Sequence, residues 1–189
     1  MVFHIVRYET DVILKPLDVV VSAGAAVMEE PRWTIAQMSE YLGMDNAQVY
    51  RAARNAASAK LLINDPTATS SMYTPNRVAL LEFLVHGVKY MMVPARGRIT
   101  RGMPTAHAAP VLAGRIDQGT DPVPVWPTPD GSVRGESFEP LHRCVPIASA
   151  RDPLFYDVMA LVDAIRGGRA REQKIASKLL REILDGKHK

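Results

Sequence analysis

A chain of 189 residues, 47% hydrophobic and 23% charged, is long enough to bury a core and too apolar to be disordered. Its single cysteine, Cys144, excludes an intrachain disulfide framework and suits a reducing cytoplasm. No apolar run reaches the roughly eighteen residues of a membrane span, and the acids in MVFHIVRYETDV break the pattern of a secretory leader, so neither membrane insertion nor secretion is expected.

The net charge of +3 conceals an uneven distribution: residues 46–93 carry +3, residues 94–115 carry +4 and residues 166–189 carry +5, against −4 for residues 1–45 and −5 for residues 116–165. Such a chain can turn basic faces to a polyanion while its acidic parts look elsewhere, although solvated helix surfaces would give the same blocks.

In chain order, Leu14 to Met28 predicts a helix with Leu17, Val20, Val21, Gly24, Ala25 and Met28 on one face, Pro16 being tolerated in its first turn. The small residues of SAGAA allow another helix close. Thr34 and Gln37 have the spacing of a capping box, so a helix starts there, buries Ile35, Met38, Ser39 and Leu42, and ends at Gly43. Asp45 or Asn46 caps a second helix, AQVYRAARNAASAKLL, with Val49 and Ala52 or Ala53 inward. A small residue at the crossing, a glycine in the turn and an apolar lock on the second helix are what a helix-turn-helix requires.

On these residues, TIAQMSEYLGMDNAQVYRAARNAASAKLL resembles the winged helix-turn-helix segment of bacterial transcription regulators of the MarR-like kind, the likeness covering residues 14 to 75. The resemblance implies a recognition helix whose outward residues, Asn46, Gln48, Tyr50, Arg51, Arg54 and Asn55, reach base edges and phosphates. Asp45 would repel phosphate unless it is occupied as a cap. Residues 61–74 read as strand, turn, strand, with Asp65-Pro66 turning. This wing has no Lys or Arg after Lys60, leaving hydroxyls to meet phosphate.

Pro75 to Met92 predicts a core helix with Val78, Leu81, Leu84, Val85 and Val88 on one face, and His86 as a packed residue. Residues 94–150 hold 9 of the 14 prolines, too long a stretch for a structureless loop, so short strands or an ordered excursion are expected. Within it, RGRITRGMPTAHAAPVL reads as a rigid, acid-free loop in which Arg96, Arg98, Arg101 and His107 contact an anion or the DNA backbone; a surface loop tied down by prolines is the plainer alternative. Asp152 caps a helix that Gly167-Gly168 ends, and RAREQKIASKLLREIL forms a last helix whose apolar stripe completes the core or docks a second subunit.

Catalysis is not expected, and neither a metal nor a cofactor is called for: the five histidines lack HExxH spacing, and GxSxG, GxGxxG and P-loop patterns are absent. The predicted fold is mainly α with a small β component. A winged helix-turn-helix with its following core helix occupies residues 1–93, a Pro-rich mixed elaboration residues 94–150, and a helical segment residues 151–189. The function this implies is a cytoplasmic, homodimeric repressor that occupies operator sites on double-stranded DNA. One alternative is an antitoxin-like autoregulator that also binds a toxin partner, since the chain bears a general likeness to regulators accompanying toxin-type nucleotidyltransferases. The other is a small-molecule or nucleotide-binding protein using Arg98, Arg101 and His107.

Overall fold

The computed structural model describes residues 13–30, 32–65, 72–116 and 122–186. Its N-terminal half runs α1 (Pro16–Val27), β1 (Trp33–Thr34), α2 (Ile35–Leu42), α3 (Asn46–Ser58), β2 (Leu62–Asn64) and β3 (Met72–Pro75), followed by α4 (Arg77–Glu82), a π-helical turn (Phe83–Gly87) and α5 (Val88–Met91). Three strands come next: β4 (Arg96–Pro104), β5 (Pro124–Pro127) and β6 (Val133–Phe138). Helices α6 (Cys144–Ser149), α7 (Pro153–Gly167) and α8 (Ala170–Leu184) close the chain. The architecture is mainly helical with two small sheets. Among the described residues no helix is long and apolar enough to cross a membrane.

Local chemistry fixes the early helices. Thr34 Oγ1 accepts the Gln37 N–H at 3.3 Å while the Gln37 side chain takes the Thr34 N–H at 2.8 Å, which closes the capping box. Gly43 ends α2 at φ +64°, a conformation that costs glycine nothing. The sequence predicts one apolar face for α1, but every residue from Asp18 to Val27 is buried, because α2, α3, β3, α4 and α7 all pack around it. At Gly24 an added Cβ would lie 3.3 Å from both Met38 Sδ and Tyr41 Cε1, so the small residues do admit α2 closely.

Three expectations are corrected. The second helix stops at Ser58 rather than at Leu62: Lys60 turns the chain at φ +64°, and Leu61 and Leu62 enter the core at the start of β2. Val78 lies not on the inner face but 78% exposed, Leu80 being buried in its place, while Leu81, Leu84 and Val88 are buried as expected. His86, expected to be packed, is exposed. The Asp65-Pro66 turn falls partly outside the described residues.

The first sheet has the order β1-β3-β2, all antiparallel, with Trp33 opposite Tyr73 and Asn64 opposite Tyr73 on the other side. The second sheet is a closed barrel of three strands in which β4 runs antiparallel to both β5 and β6, and β5 runs parallel to β6. So few strands close only where backbones touch. A Cβ on Gly102 would sit 2.1 Å from the Trp126 carbonyl oxygen, and one on Gly131 would sit 2.3 Å from Gly102 Cα.

A single apolar core runs from α1 through the barrel's inner edge to α8. The stripe of α8 (Leu179, Leu180, Ile183, Leu184) is buried and packs chiefly against α7, so it completes the core. The barrel is pinned to α7 by a buried polar network. Asp163 accepts Arg166 Nη1 at 2.5 Å, Trp126 Nε1 at 2.6 Å and Thr105 Oγ1 at 3.0 Å, while Arg166 Nε donates to the Met92 carbonyl at 2.7 Å.

Candidate nucleic-acid interface

Helix α3 buries Val49, Ala52, Ala53 and Ala56 and leaves its polar side outward. Asp45 is its N-cap: one carboxylate oxygen accepts the Ala47 N–H at 2.8 Å and the Gln48 N–H at 3.3 Å. The acid next to the helix's outward side is thereby engaged with the backbone. Arg77, Arg96, Arg151 and Arg166 are all held by hydrogen bonds elsewhere, whereas Arg51 and Arg54 are exposed on α3.

Gln48, Arg51 and Asn55 lie one helical turn apart, and with Arg54 and with Lys15, Leu17 and Asp18 of the α1 end they line a cleft of about 500 Å³. Arg54 also stacks over the Tyr50 ring, 5.7 Å from its centroid. Both lie close enough to Tyr73 of β3 to act on its phenol. Burial pushes that phenol above its ordinary value, Tyr50 adds to the shift and Arg54 opposes it. Asn46 is exposed at the first position of the helix.

Asn55 has a structural duty as well, being hydrogen-bonded to the buried Asp18. Asp18 also accepts the Lys15 N–H at 2.8 Å. Burial raises its carboxyl above the ordinary range, and the bonds from Lys15 and Asn55 only partly offset this. A raised folded pKa means that the stabilising contribution is complete below the unfolded value and is lost as pH rises through the folded one. Asp18→Asn, whose partner Asn55 can turn its amide to suit, is therefore expected to match the parent below about pH 4 and to gain about 2 °C in Tm at neutral pH. Thermal melts across pH check it, and a gain confined to acid would contradict the assignment.

The Arg-rich stretch read as a loop from sequence is strand β4, and its residues do not converge on one anion site. Arg96 Nη1 bonds Glu136 at 2.7 Å, its Nη2 donates to the Gly167 carbonyl at 3.0 Å, and Arg101 Nη1 donates to the Gly131 carbonyl at 3.2 Å. Arg98 is exposed in a bulge between Arg96 and Ile99. His107 sits apart on a 3₁₀ turn (Ala106–Ala108), half-buried, with Nδ1 4.0 Å from Glu172. Among the described residues Arg98, Arg101 and His107 have no hydrogen-bond partner in common.

His142 and Cys144 do meet, Nδ1 to Sγ at 3.1 Å. Burial pushes the Cys144 thiol up to about 12, which keeps it protonated and a poor nucleophile.

The wing tyrosine, Tyr73, is 3% exposed and stacks on the buried Trp33 at 5.2 Å, so it backs Tyr50 and Arg54 from the core rather than adding to the surface. One residue that sequence reasoning missed is Arg134, which stands opposite Arg101 across β4 and β6 and which only strand pairing reveals. No family model matches the chain, and neither does any curated protein or solved structure.

Proposed function

We propose that the chain is a sequence-specific, double-stranded-DNA-binding regulator, a repressor acting by operator occupancy, with residues 14–75 forming a winged helix-turn-helix and α3 its recognition helix. The observation that carries this reading is α3 itself: it buries an apolar side, spends its nearest acid on its own N-cap, and presents Asn46, Gln48, Tyr50, Arg51 and Arg54 outward. Amides and guanidinium groups in the first turns of such a helix are the groups that pair with adenine and guanine edges. The order helix, strand, helix, helix, strand, strand and the three-residue connection from α2 to α3 support the winged form. One recognition helix spans a short half-site, so the operator-bound form is a homodimer. Because α8 buries its apolar stripe within the chain, the second copy would meet another surface.

Equilibrium binding to duplex from upstream of the chain's own gene, titrated with salt, tests the reading. Affinity is expected to fall log-linearly with salt by about 0.9 per phosphate contacted, and to exceed that for scrambled duplex by about 10³ or more. Salt-independent binding, or equal affinity for both duplexes, would overturn it.

A further inference from the structure

The barrel carries a second basic surface that α3 does not account for. Arg101 and Arg134 are direct cross-strand partners, so their side chains leave the sheet on the same face, and Ile99 and Glu136, also partners, share it two residues along. Both arginines and Ile99 are exposed, whereas Gly102 and Gly135, one residue along each strand, face the packed side. Like charges set directly opposite each other disfavour a strand pair. The one carboxylate that β4 and β6 themselves carry, Glu136, is taken by Arg96 at 2.7 Å. The bulge adds Arg98, an extra residue that re-aims the strand locally. Among the described residues no hydrogen bond or ion pair engages Arg98 or Arg134.

Three guanidinium groups with a single spoken-for carboxylate complement a polyanion. The aromatic rings of β5 and β6, Trp126 and Phe138, are fully buried, so these strands hold out no aromatic platform of the kind that binds unpaired bases. The face fits a phosphate backbone rather than a single strand. We propose that the outer face of β4 and β6, through Arg98, Arg101 and Arg134, grips the sugar-phosphate backbone of duplex DNA outside the stretch reached by α3. This inference rests on the DNA-binding reading and lengthens its footprint.

The test compares the full chain with the double variant Arg98→Ala, Arg134→Ala, which leaves Arg101 on the Gly131 carbonyl and should melt with the parent. Two duplexes are used, the operator alone and the operator extended by a helical turn, about 10 bp, on each side. On the extended duplex the salt slope of the variant is expected to be shallower by about 2, at 0.9 per phosphate, with the preference for operator over scrambled sequence kept. On the short duplex parent and variant should coincide. An unchanged slope on the extended duplex overturns the proposal. So does binding of polyglutamate by the parent but not the variant while both bind the duplex alike, which would assign the face to an acidic protein. Arg51→Ala with Arg54→Ala runs alongside. Loss with that pair alone removes the barrel inference and leaves the α3 reading, loss with Arg98 and Arg134 alone does the reverse, and a parent indifferent to duplex removes both.

Discussion

Asp163→Ala is expected to destabilise the protein by about 4 kcal/mol, lowering Tm on the order of 10 °C. Asp163 is 1% exposed, and burial pushes its carboxyl above the ordinary range while Arg166, Trp126 and Thr105 pull it back. Removing it strands the Arg166 guanidinium, itself 7% exposed, together with an indole N–H and a hydroxyl. Each buried donor left without an acceptor costs about 1–3 kcal/mol, and an unpaired buried charge costs the most. The damage should be architectural. Thr105 follows β4, Trp126 lies in β5, Asp163 and Arg166 in α7, and Met92 ends α5, so the one carboxylate ties four parts of the chain together. Asp163→Asn should cost less, since it keeps an acceptor for Trp126 and nearly the same volume. Adding Arg166→Met to Asp163→Ala should recover part of the loss by removing the orphaned charge. Denaturant and thermal unfolding measure all three. A loss under about 1 kcal/mol for Asp163→Ala would mean that water or rearrangement satisfies the network.

What could be read in the sequence and what could not follows the distance over which each feature is encoded. Thr34, Gln37, Gly43, Asp45 and Asp152 act within three residues of themselves, so both ends of α2 and the starts of α3 and α7 are legible, whereas the end of α3 at Ser58 is not. The barrel was not, because its closure depends on Gly102 meeting Gly131 and on Gly135 meeting Val123, contacts that no local pattern announces. The same holds for the arginines. RGRITRG looked like a loop because glycine is a poor strand residue, yet here glycine is what lets the strands approach. Arg96 is engaged by Glu136 and Gly167, 40 and 71 residues away in the chain, and Arg134 joins Arg101 only through the pairing of β6 with β4. In α1 the helical period was right, but the number of neighbours was invisible. A helix surrounded on every side buries its nominally outer face as well.

The α3 reading makes its sharpest demand on Arg51 and Arg54. Both are exposed, and both line the cleft with Lys15, Asp18 and Gln48. Arg51 lies nearer the N-terminal end of the helix, where a recognition helix meets base edges. Arg54, one turn nearer the C-terminal end and steadied over the Tyr50 ring, is better placed for a backbone contact. Arg51→Ala should therefore weaken operator binding by about 1–3 kcal/mol, about 5- to 150-fold, and relax discrimination at one base pair. Arg54→Ala should weaken operator and scrambled duplex alike and make the salt slope shallower by about 1. Neither side chain supports the core, so both variants should melt with the parent, which separates lost contact from lost fold. Binding to a set of single-base-pair operator variants over a salt series reads both effects. If Arg51→Ala changes the slope and Arg54→Ala the base preference, the helix lies in the groove turned the other way. If neither variant changes affinity, α3 is not the reading helix.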